Sequence, residues 1–135
     1  MINEKLAMEA NERFYRAFNA RDLDAMKKVW SANGKVICVH PGWPPLNGFE
    51  PTIESWEGIF KNSGNMDIQA SDVHVTISEG LAWVSCFEKL YTIATNGVLA
   101  SKVYATNIFQ LNGGVWEMVM HHASSFPSTS EAEDG

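Results

Sequence analysis

From residue 66 onward the chain reads as strand after strand, and three turn signals divide the run. "VHVTIS" sets Val73, Val75 and Ile77 on one face of a strand over 66–79. "EG" at 79–80 is a tight turn, and "NG" at 96–97 and "NGG" at 112–114 are hairpin signals. Their residues tolerate the positive φ that short hairpin turns demand. Between the turns lie "LAWVSCFEKLYTIAT", "LASKVYATNIFQL" and "VWEMVMHHASSF". Strands joined so tightly pair antiparallel. A twisted meander of this length has to bury one face, and only the first half of the chain can cover it.

That first half is helical. Leu6, Ala10, Phe14, Ala17 and Phe18 recur at helical spacing over residues 3–20, with Asn3 as the expected N-cap. "NARD" interrupts the pattern, and Asp22 can cap a short second helix whose apolar side is Leu23, Met26, Val29 and Trp30. "SANG" at 31–34 is a turn, and Val36–His40 a short strand. After "PGWPPLNG", "FEPTIESWEGIFKN" predicts a third helix with Pro51 in its first turn and Ile53, Trp56, Ile59 and Phe60 inward. The expected architecture is α+β: three N-terminal helices on a curved, mostly antiparallel sheet, forming a cone with an internal pocket. One domain spans 1–126, and the acidic tail 127–135 reads as disordered.

Bulk properties exclude some functions. The chain has 135 residues and a net charge of −6, with its ten Lys and Arg scattered. A nucleic-acid surface needs clustered cations. No apolar run reaches the ~18 residues of a membrane span, and the amino terminus lacks the apolar core of a signal peptide. Cys38 and Cys86 have no metal-type spacing and fit buried thiols in the cytoplasm. Five tryptophans and seven phenylalanines supply pocket walls.

The candidate functional residues are those that break a pattern. Asn107 is the polar misfit on the strand face Ser101, Val103, Ala105, Asn107, Phe109, Leu111. It is either a satisfied structural amide or a group facing a polar cavity. His40 ends an apolar strand and meets Pro41, which restricts it to extended backbone. It either packs at the strand end or acts as a base, since modest burial keeps an imidazole neutral. Glu88, in an apolar strand, reads as half-exposed. His121 and His122 alternate to opposite faces, His121 with Val119 and Ala123. With Trp116, Met118 and Met120 on the other side, both faces read as covered, one by helices and one by a partner subunit. His74 reads as solvent-facing. No metal site is expected, because ligands do not converge.

The element order, with "ARDLDAMKKVWSANGKVICVHP" and "VWEMVMHHAS", resembles the nuclear transport factor 2-like superfamily over residues 3–126. That superfamily includes steroid Δ-isomerase, SnoaL-type polyketide cyclases, scytalone dehydratase and the association domain of calcium/calmodulin-dependent protein kinase II. The resemblance implies a cystatin-like roll with an apolar small-molecule pocket. The isomerases' catalytic carboxylate precedes a proline where His40 stands, and their oxyanion-hole acid matches Asn107. Their tyrosine falls near Phe14, with Tyr15 one residue away. Pocket walls would come from Phe14, Tyr15, Trp43, Trp56, Trp83 and Phe87, and from Val103, Val119 and His121. The implied chemistry is cofactor-independent isomerisation, cyclisation or dehydration of an apolar carbonyl compound. The alternative is a non-catalytic binding or self-assembly domain, with His122 matching the kinase domain's histidine. A homodimer would form through the outer sheet face of Lys102, Tyr104, Thr106, Ile108 and Gln110.

Overall fold

A computed structural model describes residues 2–32 and 34–126. The expected tail, 127–135, lies outside them. Three helices, α1 (Ile2–Ala20), α2 (Leu23–Val29) and α3 (Phe49–Asn62), pack on a six-stranded open sheet. The strands are β1 (Ile37–Val39), β2 (Leu46–Asn47), β3 (Met66–Ser78), β4 (Leu81–Ala94), β5 (Gly97–Asn112) and β6 (Val115–Ser125). They lie in the order β2-β1-β6-β5-β4-β3. The meander from β3 to β6 is antiparallel, and β1 adds in parallel beside β6. The two-residue β2 pairs antiparallel with β1 inside the proline loop, where no alternation could announce it. No helix among the described residues is long and apolar enough to cross a membrane.

The helices follow their sequences closely. Asp22 caps α2 through a 3.0 Å bond from Ala25 N to its Oδ1. Asn3 falls inside α1 rather than at its cap. The buried stripe of α1 starts at Ala7 and runs through Ala10, Asn11, Phe14, Tyr15, Ala17 and Phe18, while Leu6 is 39% exposed. The stripe therefore carries two polar side chains inward. Gly48 opens α3 at φ 106°, ψ 161°, a conformation open essentially to glycine alone, and its N–H bonds Val36 O at 2.8 Å. This bend lets the loop after β1 turn straight into α3.

The sheet's inner face carries Ala82, Val84, Cys86 and Glu88 from β4 and Val103, Ala105, Asn107 and Phe109 from β5. Register places Glu88 opposite Val103 and Val84 opposite Asn107. In β6 strict alternation fails. Ile108 pairs with Met120 and Phe109 with Met118, so Val119 is the extra residue of a β-bulge. Parity reverses there. Trp116 and Met118 before the bulge, and His121 and Ala123 after it, are all buried. The two-faced reading of β6 is thereby corrected, and Val119, half-buried, sits at the switch instead of sharing the face of His121. His122 and His74 are exposed.

Candidate functional site

Buried polar side chains from six elements form two hydrogen-bonded groups in the interior, in contact through the rings of His40 and His121. The first holds His40, buried just past β1. Trp43 N donates to His40 O at 2.9 Å, and this turn lays the indole edge-on against the imidazole at 4.7 Å. Trp43 is itself 45% exposed, a rim residue. On the other side Trp56 of α3 meets His40 at 4.7 Å and 84°. One residue before it, Ser55 Oγ lies 2.8 Å from His40 Nε2. Ser55 spends its only proton on Thr52 O, 2.6 Å away, so it must accept from the ring. The neutral imidazole therefore carries its proton on Nε2 and keeps Nδ1 basic. Cys38 Sγ stands 3.6 Å from the same Nε2.

The two histidine rings are 6.4 Å apart, with His121 also against Phe14 at 4.8 Å and Trp56 at 6.0 Å. His121 Nδ1 lies 2.6 Å from Asn107 Oδ1, a carbonyl that only accepts, so Nδ1 is protonated and Nε2 bare. Asn107 Nδ2 donates to Asn11 Oδ1 at 2.9 Å and to Tyr15 Oη at 3.0 Å. Both N–H donors of the Asn107 amide and its carbonyl oxygen are therefore engaged within the protein. Tyr15 O–H donates to Glu88 Oε2 at 2.7 Å, and Cys86 Sγ is 3.3 Å from the same hydroxyl.

Burial sets the proton affinities. It lowers His40 to about 4 and His121 to about 3, the latter also opposed by His40 and His122. Both are neutral at physiological pH. Glu88 is 3% exposed, and burial raises it to about 7 against the opposing hydrogen bond from Tyr15. The half-exposed reading of Glu88 is thus overturned. Tyr15 is pushed well above its ordinary value by burial and then by Glu88. The thiols of Cys38 and Cys86 rise to about 12 and about 11, mainly by burial, and are not reactive thiolates. Among the described residues no three His, Cys, Asp or Glu side chains are grouped to hold a metal ion.

The structure brings together His40, Asn107, Phe14, Tyr15, Trp56 and His121, with Val103 buried opposite Glu88 and Trp43 at the rim. It does not bring in Trp83 or Phe87. Both lie on the outer sheet face, Trp83 at 39% exposure and Phe87 against Tyr104, Phe126 and the Lys102 ammonium. Asn11 and Ser55 are not among the residues that the sequence marks, and Cys86 is marked there only as a buried thiol. Asn11 carries a legible signal, since it sits one turn before Tyr15 in an apolar stripe. Two surface clefts, of about 540 Å³ along Lys5, Met8, Glu12 and Val75 and about 280 Å³ along Ser31, Gln110 and Leu111, touch neither hydrogen-bonded group.

Comparison with known proteins places this architecture. Residues 7–129 match the SnoaL-like domain. A provisionally assigned dehydratase of the NTF2-like family from Streptomyces avermitilis superposes with a TM-score of 0.87 at 29% identity, covering 94% of this chain and 98% of that one. A provisionally assigned calcium/calmodulin-dependent protein kinase type II association domain from Thiobacillus denitrificans gives a TM-score of 0.79 at 34% identity, covering 87% and 93%. F-box protein SKIP8 of Arabidopsis thaliana is 30% identical over 117 residues, 87% of this chain, and the chain spans only 48% of that protein's length. By sequence match over nearly all its length, the chain belongs to the SnoaL-like domain family.

Proposed function

We propose that the chain is a cofactor-independent acid–base enzyme acting on an apolar carbonyl compound, with dehydration first among dehydration, isomerisation and cyclisation. The observation that carries this is a buried polar interior in which a neutral imidazole, His40, and a carboxyl group raised to about 7, Glu88, belong to two hydrogen-bonded groups that meet at His121. Groups whose environments drive their proton affinities apart are the usual acid and base of such a site. Likeness to the Streptomyces protein favours dehydration. His40 Nδ1 takes a proton from the carbon beside the carbonyl. Asn107 holds His121 and Tyr15 in place, and Phe14, Trp56 and Val103 form the apolar wall, with Trp43 at its mouth. Two free buried cysteines favour a cytoplasmic setting.

The test needs no prior substrate. A panel of β-hydroxy and unsaturated ketones is incubated with the protein in D₂O, and deuterium entry beside the carbonyl and loss of water are followed by mass spectrometry. Wild type is expected to exchange and dehydrate at least one compound, and His40→Ala to lose ~10²–10⁴ of that rate. Equal rates in both proteins would remove His40 as the base.

A second reading has its own observation. The outer faces of β4 and β5 present Trp83, Phe87, Tyr104 and Ile108, and likeness to the kinase association domain favours self-association through them. Catalysis and assembly use opposite faces of one sheet and do not compete.

A further inference from the structure

We propose that Tyr15 is the proton donor to the oxygen that leaves the substrate, and that Glu88 acts through it, aiming and reloading that proton. The inference rests on the acid–base reading above and identifies its acid.

The geometry allows two proton arrangements on the same heavy atoms. With Glu88 ionised, Tyr15 O–H is committed to Glu88 Oε2 at 2.7 Å and cannot serve a ligand. With Glu88 protonated at Oε2, the carboxyl O–H becomes the donor and Tyr15 Oη accepts it. The same oxygen also accepts from Asn107 Nδ2 at 3.0 Å, so both its lone pairs are filled. Its own hydrogen must then point elsewhere, and among the described residues Cys86 Sγ lies within reach at 3.3 Å, a weak acceptor that a substrate oxygen displaces. With the carboxyl proton on Oε2, Glu88 turns Tyr15 into a donor aimed at a ligand; with it on Oε1, Tyr15 stays bound to Oε2. The groups around the carboxyl are consistent with a protonated state near neutrality. Tyr15 of α1, Cys86 of β4 and Cys38 of β1 are the titratable neighbours, and none is cationic. Ala70 and Val103 stand across from Glu88 on β3 and β5.

The dehydration step balances. His40 Nδ1 takes the proton beside the carbonyl, and that C–H electron pair becomes the new C=C bond. The C–O bond breaks, and its oxygen leaves as water with the Tyr15 proton. Tyr15 Oη takes a proton from Glu88. The site ends with imidazolium at His40 and carboxylate at Glu88, and solvent returns one proton from the first to the second. The substrate class is a β-hydroxy carbonyl compound with an apolar body.

Infrared difference spectroscopy during a pH titration reads the carboxyl directly. The expected result is a protonated-carboxyl C=O band that disappears with a midpoint near 7, moves to higher pH in Tyr15→Phe and is missing in Glu88→Gln. In the β-hydroxy ketone assay, wild-type turnover should fall as pH rises through that same midpoint. Glu88→Gln should lose ~100-fold and show no such limb. A carboxyl already ionised at about pH 6, or full turnover in Glu88→Gln, overturns the donor role while leaving His40 in place. No turnover by wild type on any compound of the panel overturns the reading of the site and this role with it.

Discussion

At the scale of residues, stability and pH are set by three buried groups with opposing signs. Glu88 binds its proton more tightly folded, at about 7, than unfolded, near 4.5. Its contribution is full below about 4.5 and is lost as pH rises through 7. His40 and His121 bind theirs less tightly folded, at about 4 and about 3, than the ordinary 6.5. Theirs is full above 6.5 and is lost as pH falls. Between about 4.5 and 6.5 the unfolded chain holds two more imidazole protons and the folded chain one more carboxyl proton. Stability therefore rises with pH by about one proton's slope, ~1.4 kcal/mol per unit. Just above 6.5 only Glu88 is still titrating, and stability falls until about 7. Urea denaturation across pH should show this maximum near 6.5. In Glu88→Gln the rise should steepen to about two protons and the fall vanish; an unchanged profile would mean that Glu88 is not held protonated. The same residues show what sequence could disclose. Asn107 was visible as a misfit, and the amide proved fully engaged by Asn11, Tyr15 and His121. Glu88 follows Ala82, Val84 and Cys86 on one face, so alternation pointed it inward. The cost of a buried charge argued for half-exposure, and burial answers that cost by raising the proton affinity to about 7 while Tyr15 donates a hydrogen bond to the carboxyl.

At the scale of elements, the strands were legible because period-two alternation and turn dipeptides reinforce one another. Glu79 and Gly80 at φ 45° and 83°, and Gly113 and Gly114 at 57° and 86°, supply the left-handed turns that those dipeptides imply. The bulge in β6 was not legible. Val119 is one apolar residue among apolar neighbours, and no composition marks which of them is extra. Its consequence is large, because the bulge turns His121 toward Asn107. The hinge at Gly48 was half-legible, as a glycine before a helix. A Cβ there would meet nothing nearer than Pro51 Cδ at 3.6 Å, so space is not the constraint. Backbone conformation is, and Gly48→Ala should lose ~1–3 kcal/mol in chemical denaturation. A loss below ~0.5 kcal/mol would show that the loop from β1 to α3 can bend another way, and that His40 is less firmly placed than its contacts imply.

At the scale of the whole molecule, the two faces of one sheet differ in character. The inner face holds the buried polar groups, and the outer face carries Trp83, Phe87, Lys102, Tyr104 and Ile108 with no helix among the described residues over it. Ile108 is central on that face, opposite Trp83 on β4 and Met120 on β6. A like face on a second copy would bury these side chains together, and aromatic side chains are typical anchors of such interfaces. Light scattering with size-exclusion should therefore find an oligomer at micromolar concentration. Ile108→Asp would set two carboxylates into the middle of a two-fold contact, one from each copy. Dissociation should strengthen by ~100-fold or more, a cost of at least ~2.7 kcal/mol. The variant should keep its fold, because Ile108 points away from the core. Turnover then separates catalysis from assembly. A monomeric Ile108→Asp protein that still dehydrates its substrate shows that the site is complete in one chain. A monomeric wild type removes the assembly reading and leaves the acid–base interior standing alone.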